Sequence, residues 1–280
     1  MTAREALAGG PLLIAHRGGS ALAPENTLVA FENAARDWAA DMVELDVHAT
    51  ADGECVVIHD ATVDRTTDGT GAVADLTLAE LQRFDAGYRF TPDGGRTFPF
   101  RGRGVRIPTF DEVLKRLPAM AFTVEVKAGA AQAPLFETIR RHGAADRIVA
   151  AGMYEADRTL FAQWEGAVSA SAETIAAFFR LHVLRLARFR HPRADVFQVP
   201  ESHEGRRVVT PRMVRDLARH GVPVHVWTVD DEADVRRLLD WGVRGLISDR
   251  PDRVAPVLHE RAGRPLPPGA APRPAGSGAT

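Results

Sequence analysis

Met42-Val43-Glu44-Leu45-Asp46-Val47 reads as a buried strand that carries two carboxylates. Strand side chains alternate between faces, so Glu44 and Asp46 point the same way. An apolar interior does not take two charges together without compensation. Working outward, short apolar runs of this kind alternate with helix-like segments eight times. The runs are residues 12–15, 42–47, 122–126, 147–150, 168–171, 196–199, 224–227 and 245–248. Helical spacing marks 26–39, 134–142, 156–164, 211–220 and 232–241, with Gly143 and Gly221 as stop signals. Alternating βα units imply parallel strands, and eight of them within the 280-residue chain predict a closed barrel rather than a doubly wound open sheet. The fold class is thus α/β, a (β/α)8 TIM barrel.

One stretch breaks the rhythm. Residues 55–106 are rich in Gly, Thr, Asp and Arg. Within it, 55–58 can pair as an extra short strand, 78–84 can form a short helix, and 90–106 reads as a long basic loop. The expected organisation is a single barrel domain over 11–262, with a small insertion after the second strand (about 60–106) lying over the barrel mouth. A Pro/Gly/Ala/Arg tail over 263–280 is expected to be disordered. With 35 basic and 37 acidic residues, the chain lacks the basic footprint of general nucleic-acid binding. The single cysteine, Cys55, excludes an internal disulfide framework. No secretory signal and no apolar run of about 20 residues is present, so a cytoplasmic protein is expected. Oligomeric state is not legible.

The acidic pattern recurs at Glu125-Val126-Lys127, on the strand predicted to neighbour 42–47. Three carboxylates, Glu44, Asp46 and Glu125, form a hard oxygen set suited to Mg²⁺ or Ca²⁺ rather than zinc or copper. The alternative is a buried salt-bridge network through Arg17 and Lys127. His16 and His59 each end an apolar run, and Asp60 follows His59 as a partner that can orient it. Two histidines beside a metal fit acid–base work, although each alone reads equally as a hydrogen-bonded structural residue. Arg17, before Gly18-Gly19, offers a cationic fork for a phosphate. Trp227, ending the seventh run, reads as an apolar wall for substrate or as core. His142, His182, His191, His203, His220 and His259 read as surface residues.

Residues 176–193 mix apolar side chains with Arg180, Arg185, Arg188 and Arg190 and contain no acid. A basic apolar helix can make peripheral contact with an anionic lipid surface. An outer barrel helix with snorkelling arginines is the plainer reading.

Taken in order, His16-Arg17-Gly18, Pro24-Glu25-Asn26-Thr27, Glu44-Leu45-Asp46, Asp52-Gly53, His59-Asp60, Thr67, Gly69 to Gly71, Glu125-Val126-Lys127, Val226-Trp227-Thr228 and Ser248-Asp249-Arg250-Pro251 resemble the glycerophosphodiester phosphodiesterases. The resemblance runs from about residue 12 to 254. It implies a TIM barrel with an insertion after the second strand. It implies that Glu44, Asp46 and Glu125 hold a divalent metal, that His16 and His59 are the acid–base pair, and that Arg17 and Lys127 contact phosphate. The implied reaction is metal-dependent hydrolysis of a small-molecule glycerophosphodiester to an alcohol and sn-glycerol 3-phosphate. Two other readings stand beside it: phospholipase D-type hydrolysis of lysophospholipids at a membrane, and a non-catalytic phosphodiester-binding barrel.

Overall fold

The structure, a computed structural model, describes residues 1–270. Eight parallel strands form its sheet: β1 (Leu12–His16), β2 (Met42–Ala49), β3 (Ala121–Val126), β4 (Ile148–Gly152), β5 (Ala167–Val168), β6 (Phe197–Pro200), β7 (Val224–Trp227) and β8 (Gly245–Ser248). Their order is β5-β4-β3-β2-β1-β8-β7-β6, so every neighbour is a sequence neighbour or joins the two ends of the chain. The curled sheet closes where Ser169, after β5, bridges Val196, before β6. Ala170 N–H donates to Val196 O, and Asp195 N–H to Val168 O, each at 2.9 Å. This is the expected barrel.

The two faces of each strand have different fates, as the period of two requires. Leu13, Ala15, Val43, Leu45, Phe122 and Val124 belong to the core shared with the helices, which contribute Phe31, Phe110, Leu135, Leu217 and Leu238. The alternate residues Leu12, Ile14, Met42, Ala121, Val149 and Ile247 make a second cluster inside the barrel. The N-terminal helix Ala3–Ala8 packs Ala3, Ala6 and Leu7 into that cluster. One step further along the same strand faces gives His16 and Glu44, and two give Asp46 and Glu125, all lining the open end. The register aligns them: His16 lies opposite Glu44, and Asp46 opposite Glu125.

Several elements differ from expectation. The first barrel helix is Leu28–Arg36, not 26–39; Thr27 caps it, accepting from Ala30 N–H. Residues 156–164 are not an α-helix but two 3-10 turns, Glu155–Arg158 and Phe161–Gln163. Tertiary bonds draw their groups away: Leu160 N–H donates to Gln132 Oε1, and Arg158 reaches Ser169 O. The basic apolar segment 176–193 is not one helix. The helix is Ala172–Val183, and a turn with Arg185 in the left-handed region (φ 61°) follows.

The insertion begins with a strand, Cys55–Val57, antiparallel to the end of β2. It then packs on an apolar cluster of its own, including Val56, Ile58, Val63, Val73, Leu81 and Ile107. Of its residues, His59 lines the cleft, and Arg65 bonds Glu25 and Asp60 beside it. The arginines of its loop are engaged locally, Arg101 over Tyr88 and Phe98, Arg96 with Asp93. Of the tail expected to be disordered, residues 264–270 pack on the barrel: Arg264 pairs with Asp41, and Gly269 N–H donates to Asp37 O. Residues 271–280, the rest of that expectation, lie outside the described residues. Among the described residues no helix is long and apolar enough to cross a membrane.

Candidate active site

Glu44, Asp46 and Glu125 each present a carboxylate oxygen, and these oxygens lie within 4.8 Å of one another. Their compensation is uneven. Lys127 Nζ stands 2.9 Å from Asp46 Oδ1 and 3.1 Å from Glu125 Oε2. Arg17 Nε is 3.4 Å from Asp46 Oδ2, which also accepts from Asn26 Nδ2 at 2.9 Å. Burial disfavours the Asp46 charge, but the Lys127 and Arg17 charges outweigh it and hold its pKa below the ordinary value. Glu44 has no such support. It accepts the Arg17 backbone N–H at 3.1 Å, and its one charged partner within 4 Å among the described residues is His16, with Nε2 at 3.8 Å. Burial and the Asp46 charge push the Glu44 carboxyl up to about 8. The salt-bridge network weighed from the sequence therefore forms around Asp46 and leaves Glu44 uncompensated. A hard divalent cation fits this donor set and would supply the missing charge.

The local backbone serves these contacts. Arg17 (φ 50°) and Asn26 (φ 57°) both adopt the left-handed region, sparsely populated for non-glycine residues, and Asn26 N–H donates to Arg17 O. Gly18 (φ 86°) follows, where a Cβ would lie 2.7 Å from Ala30 Cβ. Only glycine lets the loop lie that close to the helix.

Both histidines are held by an aspartate. His16 Nδ1 lies 2.6 Å from Asp249 Oδ1, and His59 Nδ1 2.6 Å from Asp60 Oδ1. Each pairing leaves Nε2 free. Burial opposes an imidazolium at His16, but the Asp249 hydrogen bond and the Glu44 and Asp249 charges prevail and raise its pKa. Arg65 joins the two sides of the site, bonding Asp60 Oδ2 at 2.5 Å and both Glu25 oxygens at 2.7 and 2.8 Å. Glu25 in turn accepts from Arg17 Nη1 at 2.9 Å, which fixes the guanidinium. Arg17 Nε itself is buried without a hydrogen-bond acceptor.

All of these groups except Asp249, Asp60, Glu25, Asn26 and Arg65 open onto one cleft of about 1130 Å³. Trp227, His16 and His59 line it, as do Arg17 and Lys127. Away from the acids its wall turns apolar, with Met153, Tyr154, Ile175, Phe179 and Leu184. His203, expected at the surface, also lines the cleft, whereas His182, expected there too, is buried against Asp216. Every candidate residue named from the sequence is thus gathered at one site. The residues whose part was missed are Asp249, Glu25, Asn26 and Arg65. Asp249 follows β8 and carried a signal, since β8 and β1 must be neighbours in a closed barrel. Arg65 gave none, because its partners are set by how the insertion folds back.

The family model of the "Glycerophosphoryl diester phosphodiesterase family" matches residues 16–253. The chain is 33% identical over 261 residues to a glycerophosphodiester phosphodiesterase of Caldanaerobacter subterraneus, covering 89% of this chain and 98% of that one. It is 30% identical over 271 residues to one of Bacillus subtilis, covering 86% and 84%. Among solved structures it resembles an Oleispira antarctica phosphodiesterase in complex with the product sn-glycerol-3-phosphate. That likeness has TM-score 0.74 and 27% identity over 90% of this chain and 98% of the other. A Mycobacterium tuberculosis glycerophosphoryl diester phosphodiesterase domain has TM-score 0.79 at 22% identity, covering 90% and 100%, a likeness of fold.

Proposed function

The chain belongs to the glycerophosphoryl diester phosphodiesterase family, and on that premise we propose that it hydrolyses glycerophosphodiesters to an alcohol and sn-glycerol 3-phosphate. In this reading Glu44, Asp46 and Glu125 hold a divalent cation, Mg²⁺ or Ca²⁺. His16 and His59 move the protons, Arg17 and Lys127 bind the phosphate, and Trp227 walls the substrate. The observation that carries it is the convergence of three acids and two aspartate-held histidines on one cleft.

A phosphodiester carries one negative charge that repels nucleophiles and grows in the transition state. Burial works against the charges of Arg17 and Lys127, but the surrounding acids raise both pKa values, so the cleft floor presents two fixed cations. Preorganised charge in a site shielded from water is usually the largest catalytic term. Arg17 and Lys127 both line the cleft, where a guanidinium and an ammonium suit phosphoryl oxygens. A divalent cation, when bound, supplies Lewis-acid stabilisation of phosphoryl oxygen. Of the two histidines, one takes the nucleophile's proton and the other gives a proton to the leaving alkoxide, each through the Nε2 that its aspartate leaves free. The product held by the Oleispira relative supports the substrate class.

The test is turnover of glycerophosphocholine by wild type, His16→Ala and His59→Ala, with folding checked by circular dichroism. Each variant is expected to lose roughly 10²–10⁴-fold in kcat while staying folded. A folded His16→Ala protein with wild-type kcat would remove that residue from the mechanism. Appearance of a cyclic glycerol phosphate early in turnover would mark attack by the glycerol's own hydroxyl; its absence would mark water.

A further inference from the structure

Six of the eight exposed large apolar side chains among the described residues fall in two places: Met153 and Tyr154 after β4, and Val183, Leu184, Leu186 and Phe189 at the end of the helix Ala172–Val183 and in the turn that follows it. Met153, Tyr154, Val183 and Leu184 also line the cleft. The four at the helix end and turn are 44 to 69% exposed. An apolar patch of this kind on an otherwise polar surface marks a contact with something. Its charge says with what. Arg180, Arg185, Arg188 and Arg190 are interleaved with the apolar residues, and residues 174–194 hold no acid. Behind the same turn is a second cavity of about 340 Å³, lined by Arg185, Arg188, Arg212 and Arg219 with a single acid, Asp216. Asp216 is already bonded to His182 and Arg219 and lies 3.7 Å from Arg212 Nε, while Arg185 and Arg188 meet no acid within 4 Å among the described residues. The cavity therefore keeps a surplus of positive charge, open to an anion.

Apolar tips beside unpaired arginines match a surface that offers both acyl chains and phosphates. We propose that the turn from Val183 to Arg190 docks the chain on an anionic lipid bilayer, with Leu186 and Phe189 entering the interface and lipid phosphate seated in the arginine cavity. Val183 and Leu184 line the cleft as well as this turn, so docking would set the mouth of the cleft against the membrane. The inference stands apart from the hydrolysis, because adsorption to lipid needs no turnover.

The experiment is flotation of the purified chain with vesicles of phosphatidylcholine alone or with about a third phosphatidylglycerol, at low and high salt. Binding is expected to the anionic vesicles only, weakening at high salt as exposed charge is screened. Two double variants separate the parts: Arg185→Glu with Arg188→Glu, and Leu186→Ser with Phe189→Ser. None of these four residues lines the cleft, so turnover of a water-soluble diester is expected to be unchanged, which also reports folding. The charge reversal is expected to lower vesicle partitioning roughly a hundredfold, at about fivefold per arginine and more for reversal, and the serine pair roughly tenfold. Wild type that stays off anionic vesicles overturns the proposal, whatever the variants do. So does equal binding by both double variants. Saturable binding of inorganic phosphate without vesicle binding would assign the cavity to a soluble anion. A concentration-dependent dimer abolished by the serine pair, again without vesicle binding, would assign the patch to a second copy. Either result also overturns the proposal.

Discussion

At the residue scale the site is a problem of charge. Glu44 is buried beside Asp46, and burial and that neighbouring charge push its carboxyl up to about 8, more than His16 and Lys127 offset. A bound cation should relieve this, so Mg²⁺ or Ca²⁺ at about a hundred times its dissociation constant should stabilise the fold by ~2.7 kcal/mol, or roughly 5 °C in melting temperature. Glu125→Gln, at the less buried ligand, should abolish most of that gain; an unchanged shift in the variant would take Glu125 out of the cluster. Asp249 acts through His16, holding its Nδ1 at 2.6 Å. Asp249→Asn should therefore lower kcat by roughly ten- to a hundredfold with little change in KM; a change confined to KM would contradict an orienting role. His225 lies inside the barrel with neither ring nitrogen hydrogen-bonded, and burial depresses its pKa to about 3. The unfolded chain takes up that proton near 6.5 and the folded chain only near 3. Stability should then fall by about 1.4 kcal/mol per pH unit as pH drops between those values. Denaturant unfolding of His225→Leu from pH 7 to 4 should lack this slope, and parallel pH profiles would contradict it. The residues that bear charge were legible because an acid or histidine in an apolar run is conspicuous. Asp249 and Glu25 were visible only as parts of a motif, and their roles depend on which loops meet.

At the element scale, strands were easier to read than the segments between them. A strand covered on both faces is a short apolar run, which is why Glu44, Asp46 and Glu125 could be placed on neighbouring strands; the register that sets Asp46 opposite Glu125 came from the structure. Connections obey tertiary bonds instead. Residues 156–164 have helical spacing, yet Gln132 and Ser169 take their polar groups. The expected helix start at Asn26 fails because that residue leaves helical geometry to reach Asp46, handing the cap to Thr27. The helix Ala3–Ala8, too short to stand out, is fixed only by the barrel interior it packs into. Strand-to-strand packing has its own test. A Cβ at Gly245 would lie 2.4 Å from the His225 ring, which faces it from β7. Gly245→Ala should destabilise the protein by about 1–3 kcal/mol, measured by denaturant midpoint. A neutral result would mean that the ring moves freely.

At the scale of the whole molecule, eight repeated units announced a barrel, while its weakest seam was not foreseeable. The eight-strand sheet closes through one bridge, Ser169 to Val196, beside a β5 of only two residues. Amide exchange should be faster at 167–170 and 195–197 than along the long β2–β3 pairing, because sparsely bonded segments open locally first; equal protection would contradict that. The insertion packs on an apolar cluster of its own and contributes His59 to the cleft, whose apolar wall comes from the segments after β4, β5 and β6. All of this architecture brings one acidic cluster and two histidines to one rim, and the central claim is that they act there on a phosphodiester with a cation's help. The measurement is release of sn-glycerol 3-phosphate from glycerophosphocholine by the purified chain: with divalent cation, after chelation, and with cation restored. The expected sequence is turnover, loss and recovery. Release that continues undiminished after chelation, or none in saturating Mg²⁺ and Ca²⁺ alike, would contradict it.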